Sequence, residues 1–127
     1  MKEYVRTILD YPVKGIQFRD ITTLLQNADH FTQVIDEMIK PWKNEKIDAI
    51  VSIESRGFIM AGAIAYELNT AFIPFRKPDK LPGETYQVSY TLEYGSTEMH
   101  VHKDALNEHT NVLIIDDLLA TGGTALA

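Results

Sequence analysis

Several features that are common in proteins are missing from this sequence of 127 residues. It contains no cysteine, which excludes a disulfide framework and a zinc–thiolate site. No apolar run approaches the roughly 20 residues needed to cross a bilayer, so we expect no membrane partner. The amino terminus, Met-Lys-Glu-Tyr-Val-Arg, lacks the apolar stretch of a signal peptide. A cytoplasmic location is therefore expected.

Positive charge is also scarce. Twelve Lys and Arg residues stand against 18 Asp and Glu residues, which gives a formal net charge of -6. Non-specific nucleic-acid binding depends on basic patches, so no nucleic-acid partner is expected. A polyphosphate ligand must then be held by local cations or by a metal ion. Repeats and low-complexity linkers are absent, and the length predicts a single domain over residues 1–127.

The most informative stretch covers residues 112–124. Its first four residues are all apolar and predict a strand buried on both faces. Asp116 and Asp117 follow, and carboxylates suit ribose hydroxyls or a bound cation. The glycine-containing turn after them predicts a phosphate cradle built from backbone N–H groups at the start of a helix. The alternative is a core strand followed by two solvated acids and a flexible turn. Neither a P-loop nor a dinucleotide-binding fingerprint fits the glycine spacing.

This stretch resembles the ribose-phosphate loop of phosphoribosyltransferases, in the form found in adenine phosphoribosyltransferases. The resemblance implies that Asp116 and Asp117 hold the ribose hydroxyls of phosphoribosyl pyrophosphate. The residues implied to bind the 5-phosphate are Ala120, Thr121, Gly122, Gly123 and Thr124. Two further motifs, Glu-Ser-Arg-Gly and Leu-Glu-Tyr-Gly, extend the resemblance over essentially the whole chain from about residue 4.

Glu-Ser-Arg-Gly lies between a strand predicted at residues 47–53 and a helix predicted at residues 58–68. Arg56 would therefore project at the carboxyl end of a strand, where open parallel sheets bind ligands. The resemblance implies that Arg56 grips the leaving pyrophosphate and takes part in catalysis. The alternative is a solvated or structurally paired arginine.

A third strand, predicted at residues 71–75, leads into a run of three cations. Such a run is usually a solvated loop. The resemblance implies instead that Lys77 and Lys80 bind the pyrophosphate directly. It leaves open whether Arg76 serves this site or the site of a partner subunit.

Strict alternation of apolar and polar residues at 85–94, with a return strand at 97–102, predicts a β-hairpin. The resemblance makes the segment at about 83–102 a flap that closes over the reactants. It assigns the catalytic acid to Glu93 and an adjacent active-site tyrosine to Tyr94. Whether Glu93 handles a proton at the purine or stabilises a cationic sugar stays open. From the residues alone, an exposed strand acid is the better reading.

Phe18 lies among polar neighbours, and composition alone favours a loop aromatic that plugs the core. The resemblance implies instead that Phe18 stacks on adenine, while backbone groups of Gln17 and Arg19 read the purine edge. The family commonly has proline at the positions of Leu9 and Val13, so a looser loop is expected here.

The remaining patterns predict local structure. Residues 2–8 are predicted to form a short helix, and residues 16–20 a loop. Apolar residues recur at helical spacing in residues 28–42, which predicts a helix whose stripe packs in the core. His100 and His102 share a strand face, but no third ligand lies at a useful spacing. We therefore predict exposed histidines and no protein metal site.

Together the patterns predict an α/β fold with a central, mainly parallel sheet, flanking helices and a hairpin flap. The resemblance implies transfer of a phosphoribosyl group from phosphoribosyl pyrophosphate to adenine, giving AMP and pyrophosphate. It also implies Mg²⁺, bound mainly through the pyrophosphate and ribose of the substrate, and a homodimer. Two alternatives are an enzyme for hypoxanthine and guanine and a non-catalytic regulator that binds phosphoribosyl pyrophosphate.

The sequence ends at residues 124–127 with the start of a predicted helix, which a single turn cannot sustain. The family continues with a long helix and further strands. We therefore expect the phosphoribosyl site to be present, the purine pocket to be open and the last strand to be under-covered. The isolated chain should bind phosphoribosyl pyrophosphate, turn adenine over poorly and self-associate through its exposed apolar face.

Overall fold

The computed structural model describes residues 2–91, 96–119 and 122–126. The chain divides into two units, residues 1–41 and 42–127. None of the helices in the described ranges is long and apolar enough to span a membrane.

The first unit contains a β-hairpin in place of the predicted helix and loop. Its elements are a 3-10 turn at Lys2–Tyr4, strands β1 (Arg6–Leu9) and β2 (Gln17–Asp20), and helices α1 (Thr22–Leu25) and α2 (Ala28–Ile39). The helix predicted at residues 2–8 and the loop predicted at residues 16–20 are therefore both wrong. β1 and β2 pair antiparallel, with Ile8 opposite Phe18. Each strand supplies hydrogen-bond partners to the backbone N–H and C=O groups of the other. This pairing outweighs the weak local preference for helix or loop in the sequence.

Helix α2 confirms the apolar stripe predicted at residues 28–42. The Asn27 side chain caps its start by accepting a hydrogen bond from the His30 N–H at 3.0 Å. Val34, Ile35 and Ile39 are buried. The helix gives way to a 3-10 turn that contains Pro41, as the missing N–H of proline requires.

The Asp20 carboxylate fastens the hairpin to α1. It accepts hydrogen bonds from the Thr22 N–H at 2.9 Å, from the Thr22 hydroxyl at 2.6 Å and from Arg6 Nε at 3.0 Å. The Thr22 hydroxyl, the Arg6 guanidinium and the Thr22 N–H favour the ionised form and lower the pKa of Asp20 to about 2.

Because this pKa is lowered on folding, the ionised Asp20 stabilises the fold fully only above its unfolded pKa of about 4. We expect that contribution to be lost as the pH falls from about 4 to 2. The free energy of unfolding, measured by urea titration between pH 7 and pH 2, should fall more in the parent than in Asp20→Asn. Equal acid dependence in both proteins would contradict the assignment.

The second unit contains the parallel sheet. Its strands are β3 (Ala49–Ile53), β4 (Ala71–Phe75) and β7 (Val112–Ile115), in the order β4-β3-β7, all parallel. Helix α3 (Gly57–Glu67) packs on this sheet, and helix α4 (Gly123–Leu126) follows β7. Strands β5 (Thr85–Thr91) and β6 (Ser96–His102) form an antiparallel hairpin. The predicted α/β fold, its parallel sheet and its hairpin are therefore confirmed.

The apolar run of β7 does not lie buried on both faces, and the expectation that this last strand is under-covered is confirmed. Ile115 is buried, but Val112 is 41% exposed and Ile114 is 49% exposed. These two side chains share one face, and β7 is an edge strand of the sheet that the structure describes. The central strand β3 is buried along residues 49–52, as its apolar run predicts.

The hairpin is attached to the end of β4. Arg76 and His100 exchange two backbone hydrogen bonds, at 2.9 and 2.7 Å. His100 and His102 are both half-buried, so the prediction that they are exposed is wrong. His100 contacts the Thr85 hydroxyl and the Glu98 carboxylate, and His102 Nε2 lies 2.7 Å from the Pro82 carbonyl oxygen.

Candidate active site

The carboxyl ends of the three parallel strands meet at one edge of the sheet. Ile53 is paired with Phe75, and Ser52 is paired with Ile115, so the loops after β3, β4 and β7 begin side by side. These loops carry most of the residues that the sequence assigns to phosphoribosyl pyrophosphate. Parallel sheets bind ligands at this edge.

Arg56 and Asp117, on two of these loops, form an ion pair. Arg56 Nη2 lies 2.8 Å from Asp117 Oδ2. The Asp117 carboxylate is only 6% exposed, whereas the Arg56 side chain is 41% exposed. Asp117 Oδ2 accepts no hydrogen bond from the described residues, so Arg56 supplies its charge compensation. The structure thus joins the residue predicted to bind pyrophosphate to one predicted to bind ribose.

The Asp116 carboxylate lies at the carboxyl end of β7, next to this ion pair and close to Gly57. Its Oδ1 accepts a hydrogen bond from the Asp117 N–H at 2.8 Å. Burial raises the pKa of Asp116, because the charged form loses contact with water. The neighbouring Asp117 carboxylate raises it further, since two like charges lie close together.

Gly57 lets α3 begin close to the carboxylate. A Cβ atom at Gly57 would lie 2.6 Å from Ser52 Oγ, 2.7 Å from Asp116 Oδ1 and 3.2 Å from Asp116 Cα. Real Cβ atoms do not approach other heavy atoms to less than 3 Å. The glycine in Glu-Ser-Arg-Gly is therefore required by packing, and it brings the Arg56 turn against the end of β7.

The predicted phosphate turn borders a small cavity. The cavity has a volume of about 100 Å³, and its lining includes Asp116, Gly122, Gly123 and Thr124. Gly122 has a φ of +81°, a backbone conformation that favours glycine. Three of the five residues predicted to bind the 5-phosphate therefore line one cavity, together with Asp116, which is predicted to hold the ribose.

Glu54 is a site residue that the sequence analysis did not assign. Its Oε2 accepts a hydrogen bond from Arg76 Nε at 3.2 Å and another from the Lys77 N–H at 2.9 Å. Arg76 Nη1 also donates to the Lys80 carbonyl oxygen at 3.2 Å. The Lys77 N–H bond, followed by the Arg76 guanidinium, lowers the pKa of Glu54 despite partial desolvation. One carboxylate therefore ties the loop after β3 to the cationic loop after β4.

This arrangement bears on the three predicted cations. The Arg76 guanidinium is engaged by Glu54 of the same chain. Lys77 and Lys80 have exposed side chains in a loop whose backbone is held in place. Their assignment to pyrophosphate stays a prediction. It depends on the position of the loop backbone, which the hydrogen bonds to Glu54 hold in place.

We expect Glu54→Gln to raise the KM for phosphoribosyl pyrophosphate by about 3- to 10-fold, the scale of one weakened charge-assisted hydrogen bond. The charge that orders the cationic loop is lost, while the KM for adenine should not change. Steady-state kinetics with each substrate varied in turn measure both values. Glu45→Gln, which removes an exposed charge before β3, is the matched control. An unchanged KM in Glu54→Gln would show that the loop needs no such tether.

The predicted adenine-binding residues lie on β2, in the first unit. The half-buried ring of Phe18 contacts Tyr11 edge to face, with ring centroids 5.2 Å apart. Gln17 and Arg19 are exposed, and Arg19 Nη1 donates to the Thr7 hydroxyl. Phe18 therefore lies on a strand with an aromatic neighbour. Its stacking role and the backbone roles of Gln17 and Arg19 stay predictions.

Four predicted site residues lie outside the described ranges. They are Glu93 and Tyr94 of the predicted flap and Ala120 and Thr121 of the predicted phosphate turn. Their roles stay predictions from the sequence.

Comparisons with known proteins identify the family. The model of the phosphoribosyl transferase domain matches residues 17–127. An adenine phosphoribosyltransferase from Brachyspira hyodysenteriae is 57% identical over all 127 residues, which correspond to 75% of that protein. The crystal structure of adenine phosphoribosyltransferase from Thermoanaerobacter pseudethanolicus matches with a TM-score of 0.93 and 47% identity, covering 98% of this chain and 72% of the other.

The enzyme from Saccharomyces cerevisiae, in complex with adenine and an imino-altritol bisphosphate, matches with a TM-score of 0.90 and 38% identity, covering 98% of this chain and 73% of the other. The resemblance read from the motifs is thus confirmed by whole-chain similarity in both sequence and structure. The chain belongs to the phosphoribosyl transferase family and, within it, to the adenine phosphoribosyltransferases.

Proposed function

We propose that this chain transfers the 5-phosphoribosyl group of phosphoribosyl pyrophosphate to adenine, giving AMP and pyrophosphate, a purine-salvage reaction. The observation that carries the proposal is the ion pair of Arg56 with Asp117 at the shared edge of three parallel strands. This pairing supports roles in which Arg56 binds the leaving pyrophosphate and Asp117 binds a sugar hydroxyl. The adjoining cavity beside Asp116 supplies the space for a terminal phosphate.

The reaction breaks the bond between the sugar and pyrophosphate while the purine nitrogen forms a new one. Positive charge develops on the sugar, and negative charge develops on the leaving group. Arg56, Lys77 and Lys80 stabilise the leaving pyrophosphate, since fixed cations favour the charge that grows in the transition state. Asp116 and Asp117 accept hydrogen bonds from the ribose hydroxyls and so orient the sugar.

The purine side of the proposal rests on the motifs. Phe18 holds the adenine plane, and the backbone at Gln17 and Arg19 reads its edge. Glu93 and Tyr94 act from the flap, which excludes water that would otherwise capture the sugar cation. Glu93 either handles a proton at the purine or stabilises the cationic sugar.

We propose that Mg²⁺ enters with the substrate. Among the described residues no three His, Asp or Glu side chains form a metal-binding group. The donors at the sheet edge are the carboxylates of Asp116 and Asp117. Oxygen donors suit Mg²⁺, and two carboxylates fit an ion held mainly by the pyrophosphate and ribose oxygens. When bound, this ion supplies charge neutralisation to the leaving group.

Release of pyrophosphate, assayed with each purine in turn, tests the proposal. We expect release when adenine, phosphoribosyl pyrophosphate and Mg²⁺ are present together, and only background release without a purine. Release with hypoxanthine or guanine in place of adenine would favour the related enzyme. Calorimetric binding of phosphoribosyl pyrophosphate without release by any purine would favour a regulator.

A homodimer and a cytoplasmic location complete the proposal. Sedimentation equilibrium of the purified chain tests the dimer. The Arg76–Glu54 ion pair lies within one chain and leaves Arg76 at the edge of its own site. A mixture of Arg76→Ala and Arg56→Ala chains would regain activity only if Arg76 served the partner subunit.

A further inference from the structure

Ser52 is a buried hydroxyl for which the proposed reaction has assigned no role. It lies in the apolar strand β3 and has 0% exposure. Its Oγ is buried and has no hydrogen-bond partner in the part of the chain that the structure describes. A buried polar group without a hydrogen-bond partner destabilises a fold, so such a group calls for an explanation.

The position of Ser52 suggests a partner. Ser52 Oγ and Asp116 Oδ1 both border the space beside Gly57, at 2.6 and 2.7 Å from the same Cβ position. Ser52 is also paired with Ile115, the residue directly before Asp116. The hydroxyl therefore faces the small space that the carboxylate faces, and it does so from the central strand of the sheet.

The chemistry of the two groups is complementary. A serine hydroxyl carries one hydrogen to donate, and its oxygen changes position by rotation about χ1. A carboxylate oxygen accepts more than one hydrogen bond, and Asp116 Oδ1 accepts one, from the Asp117 N–H. A hydrogen bond donated by the Ser52 hydroxyl would therefore hold the Asp116 carboxylate in one position.

We propose that Ser52 is a positioning residue, whose hydroxyl rotates to donate a hydrogen bond to Asp116 when the ribose binds and so fixes the carboxylate that receives the sugar. This inference rests on the proposed function. It adds to the ribose site a residue that touches no substrate and lies on a strand. The Asp116 carboxylate, which lies in a loop, would thereby receive a hydrogen bond from a residue of the buried central strand.

Ser52→Ala tests the inference, because alanine removes the hydroxyl and adds no bulk. We expect the Kd for phosphoribosyl pyrophosphate with Mg²⁺, measured by calorimetry, to rise about tenfold, the scale of one hydrogen bond to a charged group. The KM for phosphoribosyl pyrophosphate should rise equally, while kcat and the KM for adenine stay the same. The melting temperature should stay the same or rise, since a buried hydroxyl has been removed.

Thr70→Val is the matched control, because it removes a hydroxyl that donates to the Ile47 carbonyl oxygen at the other end of the sheet. Its Kd should equal that of the parent. An unchanged Kd in Ser52→Ala would overturn the inference. Weaker binding together with a lower melting temperature would also overturn it, since the hydroxyl would then only support packing. Failure of the proposed function differs from both outcomes, because the parent itself would then release no pyrophosphate with adenine.

Discussion

Replacement of Arg56 by alanine is expected to lower kcat/KM for phosphoribosyl pyrophosphate by about 10²–10³-fold, the usual effect of removing one preorganised group that stabilises transition-state charge. Arg56 lies 2.8 Å from Asp117, the carboxylate proposed to hold the ribose. Initial rates of pyrophosphate release at varied substrate concentration measure the loss. Lys46→Ala, which removes an exposed cation before β3, is the control. A loss of less than threefold would show that Arg56 is only a structural partner of Asp117.

The same variant should also be less stable, because the nearly buried Asp117 carboxylate would lose its charge compensation. We expect the free energy of unfolding to fall by about 1–3 kcal/mol. Combining Arg56→Ala with Asp117→Asn should recover most of the stability and none of the activity. Urea titration of both proteins separates the two effects. Equal stability of the single and double variants would contradict the ion pair as an energetic feature.

Gly57→Ala is the second change with a large expected effect. The added methyl group would lie 2.6 Å from Ser52 Oγ and 2.7 Å from Asp116 Oδ1, so these two side-chain ends must shift, and at 3.2 Å from Asp116 Cα it would also crowd the backbone. We expect a loss of about 1–3 kcal/mol in the free energy of unfolding, as for other overpacked sites. Affinity for phosphoribosyl pyrophosphate should also fall by tenfold or more, since the displaced Asp116 carboxylate is the one proposed to bind the ribose.

Gly62 provides a matched control in the same helix. Apart from its chain neighbours and the backbone of its own helix, no heavy atom of the described residues lies within 4 Å of a Cβ atom built there. Gly62→Ala should therefore raise the free energy of unfolding by about 0.5–1 kcal/mol, because alanine favours the helix interior. It should leave substrate affinity unchanged. Equal responses of the two glycines would mean that the contact between α3 and Asp116 is looser than described.

The parallel sheet could be predicted because its strands are continuous apolar runs bounded by turn residues. For this reason the predicted bounds of the strands at residues 71–75 and 112–115 agree with the structure. The segments 6–9 and 17–20 could not be identified as strands, since each is short and partly polar. These segments are strands because they pair with each other, and no local sequence pattern indicates that pairing.

In the site, too, some residues could be predicted from local sequence and others depend on contacts between distant residues. Arg56, Asp116 and Asp117 follow apolar strands within recognisable motifs, so their shared edge could be predicted. The hydrogen bonds of Glu54 join residues 22 and 23 positions apart, and a carboxylate is an unexpected residue beside an anion site. Ser52 did leave a signal. It is the one polar residue in the buried run of residues 49–53, and a lone polar residue in such a strand indicates a specific partner.

If Arg56 binds pyrophosphate and Asp117 binds ribose, as proposed, their ion pair has a thermodynamic consequence for how the two halves of the substrate bind. If pyrophosphate draws Arg56 away, Asp117 is left with an uncompensated charge and an open position, which a ribose hydroxyl then fills. A ribose phosphate that occupies Asp117 likewise releases Arg56 for an anion. Each half therefore lowers the cost of binding the other, and linkage requires the two effects to be equal. A fragment that binds alone would have to break the Arg56–Asp117 ion pair and leave one member without a partner. The intact substrate would supply a new partner to both residues at once.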